Sequence, residues 1–581
     1  MIVIYKNVSL IGLFGIIIIS SLIPVIQNLL LIYTQKIGDA LGAKSNDEVI
    51  IFLFIQSIIY LLVQILILWN KMIENRLNPQ YDFYLNNSIQ KKLSKVRMYL
   101  LDDFETYNKI IMIQQIIPQI GVSFLMSLLT IIQTIIALVG MSYILSDLHW
   151  AIIGTLILFS IINIIVSHIF NRNQLKIYND TSELTRKRDY FTQIFSSREL
   201  MAESRVFQLH EFFIGKWKEL YWRVETPNII INNKRSLLAF AIQISVNFVQ
   251  LIALILLVRT SEPILSIGAY MVLTQAMLQL QGRANEFVAS ISHINQIFMF
   301  LPIYFEVLEL EEEDNKKVEF TDLKKCISVK NLSFSYKNSD VLSLKNLNFT
   351  INKGESVAIV GYNGSGKTTL VKCLLGLYNE FDGGTIDYDN ISINEYNKDS
   401  IRKNTAVLFQ NYGKYPLSIK ENILLGNLIK IEDTLLYDKA LKLSGAWQFI
   451  NKLNYKHDTM LHPEFEKGID LSGGQWQKTA LARMYFRNAS ILFLDEPTAA
   501  IDPISENNIY KQFFEIASGK TSIILTHRLG MCKWVDKIIV MEEGSIKEIG
   551  NHEQLLNNNS LYKEMYSSQA EWYTKTKNHI I

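Results

Sequence analysis

Ser356-Val357-Ala358-Ile359-Val360-Gly361-Tyr362-Asn363-Gly364-Ser365-Gly366-Lys367-Thr368-Thr369 decides the fold of the C-terminal half. Five residues of buried-strand character lead directly into a glycine loop, and the loop leads into a helix that begins near Lys367. In that context Gly361, Gly364 and Gly366 let backbone N–H groups curl around phosphate oxygens, with Asn363, Ser365 and Thr369 completing the loop and the helix adding its positive end. Lys367 carries a point charge to the outer phosphates of a nucleotide, and the Thr368 hydroxyl is placed for Mg²⁺. Upstream, 327–334 and 347–351 read as further strands.

Downstream, Ile491-Leu492-Phe493-Leu494-Asp495-Glu496 reads as a parallel strand buried on both faces. Asp495 at its C-terminal end can reach a Mg²⁺ beside the glycine loop, and Glu496 is placed to polarise an attacking water. A second anion site is written in Leu471-Ser472-Gly473-Gly474-Gln475, ahead of a helix expected over 477–486. One chain already holds a phosphate loop, so a second anion site points to a nucleotide sandwiched between two copies.

The N-terminal half is of another kind. The chain has 581 residues, 49% hydrophobic and 19% charged, which with a soluble C-terminal half requires a very apolar remainder. Six apolar stretches, 8–33, 49–69, 121–145, 150–170, 236–258 and 264–280, precede the acidic run 309–314. A helix needs roughly 20 apolar residues to cross hydrocarbon; five stretches qualify and 264–280 is marginal by length. Residues 70–120 and 171–235 read as long polar loops, and they hold Lys91, Lys92, Lys95, Arg97, Arg186, Lys187, Arg188, Lys216 and Lys218. The positive-inside tendency puts these loops in the cytoplasm, and six crossings put both termini there too. The first stretch exceeds the 7–15 apolar residues usual in a signal peptide and shows no small-residue cleavage site, so it reads as a retained anchor with no accessory domain ahead of it.

Polar residues within the spans require a reason. Gln243, Asn247 and Gln250 share one face of the fifth stretch, and Gln275 and Gln279 form a similar pair on the sixth. They bond neighbouring helices or line a path for a polar substrate; the sequence leaves both open. The three cysteines, Cys326, Cys373 and Cys532, fit reduced thiols better than a disulfide or zinc framework. A net charge of +2 gives no field that points to nucleic acid.

Taken together these motifs resemble ABC transporters of the exporter type, over essentially the whole chain. The resemblance implies a multidomain protein: an all-α transmembrane domain of six helices (1–310), a linker (311–323), and an α/β P-loop ATP-binding cassette with a helical subdomain (324–581). It implies ATP and Mg²⁺ as cofactors, and a cell-membrane location with cassette and termini cytoplasmic. Residue by residue, Tyr336 matches the aromatic that stacks on adenine, and Gln410 the glutamine that senses Mg²⁺ and the γ-phosphate. Ser472, Gly473, Gly474 and Gln475 match the signature that meets the opposite subunit's nucleotide. Asp502 matches the loop that couples the two sites, and His527 the histidine that steadies the γ-phosphate. Coupling helices are implied near 99–106 and 197–207.

Finer features resemble the lanthionine-peptide (lantibiotic) exporters. After Gln410 the chain reads Asn-Tyr-Gly-Lys-Tyr-Pro-Leu-Ser-Ile-Lys-Glu-Asn-Ile in place of the Gly-Thr-Ile form common in drug and lipid exporters. The signature is followed by Trp476-Gln477-Lys478, Asp495-Glu496 by Pro497-Thr498, and the second long loop carries Arg198-Glu199 and Glu203-Ser204-Arg205-Val206-Phe207. The expectation is a homodimeric exporter of a ribosomally made modified peptide, served by a peptide-modifying enzyme and set in a lipid bilayer. A multidrug or lipid exporter is the alternative within transport, and an ATP-gated channel or regulatory membrane protein the alternative of another class.

Overall fold

The computed structural model describes residues 10–144, 150–260, 266–313, 316, 318–337, 339, 341–496, 503–558 and 561–575, with some helix side chains, many of them in 150–175 and 246–260, outside the description. The chain divides into two compact units: residues 1–94 with 108–310, and residues 95–107 with 311–581.

The first unit is helical. Its elements are α1 (Leu10–Gly42), α2 (Asn46–Leu93), α4 (Phe104–Ile120, which enters from the other unit), α5 (Val122–Ile144), α6 (Trp150–Ser196), α7 (Arg198–Val206), α8 (His210–Thr260) and α9 (Ile267–Leu308); α3 (Met98–Leu101) belongs to the second unit. Among the described residues four helices are long and apolar enough to cross a membrane, Ile11–Gly42, Asn46–Leu93, Val122–Met141 and Ile267–Leu308. The expected stretches 150–170 and 236–258 lie in α6 and α8, and most of the marginal stretch 264–280, from Ile267 on, lies in the 42 residues of α9.

The structure corrects the reading of 70–120 and 171–235 as loops. Most of both stretches is helix: α2 runs 48 residues without a break, about 72 Å at 1.5 Å per residue against a hydrocarbon core of about 30 Å. The physical reason is an apolar stripe inside the charged segment. Leu77, Tyr81, Leu85 and Ile89 recur every fourth residue and are buried, so this polar sequence still has one face to pack. Two short helices, α3 and α7, stand where the resemblance implies coupling helices. Near the α1–α2 turn, α1 and α9 meet glycine on glycine: a Cβ on Gly38 would lie 2.3 Å from the Gly268 Cα. Small residues allow this backbone approach, and nothing larger would.

The second unit holds two sheets. β1 (Cys326–Ser335), β2 (Leu342–Asn352), β4 (Gly383–Tyr388) and β5 (Ile391–Ser392) form an antiparallel sheet in the order β2-β1-β4-β5. β3 (Ser356–Gly361), β6 (Thr405–Leu408), β7 (Ile491–Asp495), β8 (Thr521–Leu525), β9 (Lys537–Glu542) and β10 (Ser545–Gly550) form the other, in the order β10-β9-β3-β8-β7-β6, parallel except for the β9–β10 pair. The parallel strands are buried on both faces. Ala358 and Val360 of β3 and Leu492 and Leu494 of β7 pack into one core; Val357, Ile359, Ile491 and Phe493 pack into the other. That alternation explains why β3 and β7 read as unbroken apolar runs. The helices are α10 (Lys367–Leu374), α11 (Lys398–Lys403), α12 (Ile419–Leu424), α13 (Thr434–Ser444), α14 (Trp447–Ile450), α15 (Gly473–Arg487), α16 (Pro503–Ala517), α17 (His552–Asn557) and α18 (Leu561–Lys575), with α12 to α15 forming a helical layer over the first core. All three cysteines are free thiols.

Residues 95–107 fold with the cassette strands and not with the helices they interrupt. Val96 bridges to Glu312, Arg97 pairs with Glu380 at 2.5 Å and Glu311 at 3.1 Å, and the Tyr378 hydroxyl donates to Asp102 at 2.5 Å. The Lys337 ammonium lies 5.6 Å from the Tyr99 ring centre.

Candidate functional site

β3 delivers the glycine loop and α10 leaves it. Gly361, Gly364 and Gly366 have φ of 154°, 80° and 94°. At Gly361 the requirement is also steric, since a Cβ would lie 2.1 Å from the Met541 carbonyl oxygen. Asn363 and Gly364 are exposed at the loop apex, whereas Ser365, Lys367 and Thr369 are buried. Lys367 turns its ammonium back on the loop and donates to the carbonyls of Gly361 (3.0 Å) and Tyr362 (2.9 Å). Burial lowers its pKa, against the opposing pull of Glu496 and Asp495.

Asp495 ends β7, only 1% exposed, and among the described residues neither carboxylate oxygen has a partner at full hydrogen-bond geometry, although the Thr368 hydroxyl stands close to it. Burial and the neighbouring Glu496 carboxylate raise its pKa above the usual range, against a smaller lowering by the Thr368 hydroxyl and by Lys367 and Lys372. A buried carboxylate without such partners beside a hydroxyl is a donor set that suits a hard cation. Among the described residues no cluster of three His, Cys, Asp or Glu forms a cage.

Glu496 follows in a left-handed conformation, φ 50°, with its N–H donating to the Leu525 carbonyl at 3.0 Å. Residues other than glycine adopt that region at a cost, and the turn aims the carboxylate away from the line of β7. Two side chains hold it there: the Gln410 amide donates to one oxygen at 2.8 Å, and His527 Nε2 pairs with the other. Gln410 and His527, far apart in the chain, therefore meet at the Glu496 carboxylate, a contact that no motif states.

Tyr336 is half-buried. Its hydroxyl bonds the Thr369 hydroxyl at 3.1 Å, and its ring meets the Tyr378 ring edge to face at 5.5 Å. Tyr378 in turn reaches Asp102.

The signature segment differs from expectation in one respect. Its helix starts at Gly473, four residues before the expected 477, because Ser472 and Gln475 form a reciprocal capping box. The Ser472 hydroxyl accepts from the Gln475 N–H at 3.3 Å, and the Gln475 side chain accepts from the Ser472 N–H at 3.0 Å. Gly473 and Gly474 thus form the first turn. Trp476 is buried and donates to Asp470 at 3.0 Å, so it serves packing. Among the described residues no hydrogen bond or ion pair joins Ser472–Gln475 to the glycine loop or to Glu496. Asp502 lies outside the described residues.

Motif reading misses Gln569 of α18, which grips the segment after β8: its amide donates to the His527 carbonyl and accepts from the Leu529 N–H at 3.0 Å. It also misses Tyr378 and Asp102. None of the three sits in a recognisable pattern.

In the helical unit, Gln275 and Gln279 line a cavity between α1, α2 and α9. The α8 amides are engaged otherwise: Gln243 donates to Asn247 at 3.3 Å, and Gln281 of α9 donates to the same oxygen at 2.9 Å. The Gln250 side chain lies outside the description.

A family profile described as ABC transporter matches residues 344–499. The nisin transport ATP-binding protein NisT of Lactococcus lactis subsp. lactis is 31% identical over 95% of this chain and 92% of its own length. The subtilin transport ATP-binding protein SpaT of Bacillus subtilis is 28% identical over 95% and 90%. An ATP-dependent lipid A-core flippase of Haemophilus influenzae is 34% identical, over only 55% of this chain and 54% of its own length. A structure of a bacterial Atm1-family ABC exporter with ATP bound superposes with a TM-score of 0.83 at 22% identity, covering 96% of this chain and 98% of that one.

Proposed function

The chain belongs to the ABC transporter family, as an exporter with its membrane domain fused ahead of the cassette, and on that premise we propose that it acts as a homodimer exporting a ribosomally made modified peptide of the lanthionine class. It is a multi-pass membrane ATPase whose hydrolysis is coupled to transport, and half-transporters of this type generally act as dimers. The observation that carries the peptide reading is coverage. Two peptide exporters match nearly end to end, membrane half included, whereas the lipid flippase matches over about half of each chain.

In the proposed site each ATP lies between Gly361–Thr369 of one copy and Ser472–Gln475 of the other, with Tyr336 against the adenine and Asp502 near the seam. Asp495, Thr368 and Gln410 would hold Mg²⁺, which when bound supplies positive charge to the β- and γ-phosphates. Lys367 exchanges its two loop carbonyls for phosphate oxygens. Glu496 accepts the proton of the water whose oxygen bonds to the γ-phosphorus as the bond to the leaving oxygen breaks. His527 and Gln410 fix that carboxylate before substrate arrives, which supports preorganisation as the source of rate. Cassette and termini are proposed to be cytoplasmic.

Glu496→Gln keeps the shape and removes the base. Turnover is expected to fall about 10²–10⁴-fold with ATP binding retained; hydrolysis near the wild-type rate would refute the role. For cargo, ATPase activity in proteoliposomes should rise with a lanthionine peptide such as nisin. Stimulation by phospholipids or dyes alone would favour the lipid or drug alternative. A lanthionine synthetase and a short precursor peptide encoded beside the gene would support the peptide reading.

A further inference from the structure

The cavity between α1, α2 and α9 has a volume of about 630 Å³, within the range of about 300–1,000 Å³ usual for ligand sites. It is lined by an unusual set of side chains for a membrane helix bundle. Gln27, Gln56, Gln64, Gln275 and Gln279 all face it, one from α1, two from α2 and two from α9. Interhelical bonding accounts for part of this set. Gln56 donates to the Thr34 hydroxyl at 3.0 Å, Thr34 donates to Gln275 at 2.9 Å, and Gln27 accepts from Arg283. It does not account for all of it. Among the described residues Gln64 and Gln279 have no hydrogen-bond partner for either end of the amide. At one end of the cavity Arg283 pairs with Glu286 at 3.0 Å, so the charged residues there sum to zero.

Each glutamine amide presents a donor and an acceptor together. A ligand that satisfies several must alternate acceptors and donors along its length, and the backbone of an extended polypeptide does that. Gln64 is exposed and Gln279 half-buried, so an acyl chain or a flat aromatic dye would strip water from the amides and return no hydrogen bond, which is costly. The neutral Arg283–Glu286 pair likewise gives no excess positive charge for an anionic headgroup.

We propose that this cavity binds an extended, uncharged segment of the transported peptide through its backbone amides, with Gln64 and Gln279 as the receiving groups. The proposal rests on the peptide-export reading and narrows it to a site.

The test uses the full-length protein in proteoliposomes, with nisin, a headgroup-labelled phospholipid and rhodamine 6G as probes of ATPase stimulation. Gln64→Leu/Gln279→Leu removes the two uncommitted amides and leaves the Thr34 contacts between helices. The nisin concentration for half-maximal stimulation is expected to rise at least roughly tenfold, one to two amide hydrogen bonds' worth, while Ser245→Ala, whose hydroxyl bonds only within its own helix, behaves as wild type. An unchanged half-maximal concentration would overturn the site and leave peptide export standing. A wild-type protein stimulated by lipid or dye and not by nisin would overturn both. Should the double variant fail to fold, Ser57→Cys, on the cavity wall, decides in a Cys326→Ala background: nisin is expected to slow its reaction with a maleimide, and an unchanged rate overturns the site.

Discussion

Gln569→Met tests whether α18 sets the rate of ATP hydrolysis from outside the motifs. Methionine keeps the length of the side chain and removes both hydrogen bonds, to the His527 carbonyl and from the Leu529 N–H. Each is worth about 0.5–1.5 kcal/mol net, and Gln569 is half-exposed, so water recovers part of the loss. A net loosening of about 1–2 kcal/mol in the segment that carries His527 corresponds to roughly a 5–30-fold fall in the rate of a step that needs His527 against Glu496. The helix itself stays docked, because Tyr562 bonds His552 at 2.7 Å and the Leu561 N–H bonds Glu548 at 2.7 Å. Steady-state ATPase assays in nanodiscs should therefore show a reduced kcat with a KM for ATP within about twofold of wild type. A kcat unchanged within twofold, in a variant with the wild-type melting temperature, would refute the argument.

Two further predictions concern stability. Lys398 is 3% exposed, and burial first, then Arg402, lower its pKa from 10.5 to about 8; the folded state then releases its proton before the unfolded state does, so wild-type stability relative to Lys398→Met should rise as pH goes from about 8 to 10.5, by up to about 3 kcal/mol. Parallel melting curves for the two proteins across that window would contradict it. Gly38→Ala should destabilise the helical unit by roughly 1–3 kcal/mol or more, since its Cβ meets backbone of Gly268 at 2.3 Å. Gly15→Ala, which meets only the end of Ile73 at 3.6 Å, should melt as wild type does, and equal melting temperatures for both variants would overturn the packing argument.

Much of the cassette was legible because its signals are local. A buried strand must be apolar on both faces, and a loop that wraps phosphate needs glycine at positive φ, so β3, β7 and the glycine loop announce themselves within a dozen residues. The family pattern names Gln410, Glu496 and His527 one by one, but that they meet at one carboxylate is written nowhere in it, since nothing local ties residues so far apart in the chain. The signature helix starts earlier than propensity implies: Gly473 and Gly474 weaken it, and the capping box that overrides them needs Ser472 and Gln475 read as a pair. Residues 70–120 read as a polar loop on hydrophilicity alone, whereas the buried series Leu77, Tyr81, Leu85 and Ile89 is a packing signal at a spacing of four. Gln569, Tyr378 and Asp102 carried no signal, because each acts by where the chain returns in space.

The capping box on Ser472 has a consequence for how an anion would be met at that point. The hydroxyl oxygen spends a lone pair on the Gln475 N–H, while its proton remains available to donate. In the proposed site the serine would keep its helix wound and offer a handle to an arriving oxyanion at the same moment, with no exchange of partners between the two duties. Removing the hydroxyl would weaken the first turn by about 1 kcal/mol and take away the handle together. An aspartate there would preserve the turn alone and set a negative charge where the handle had been.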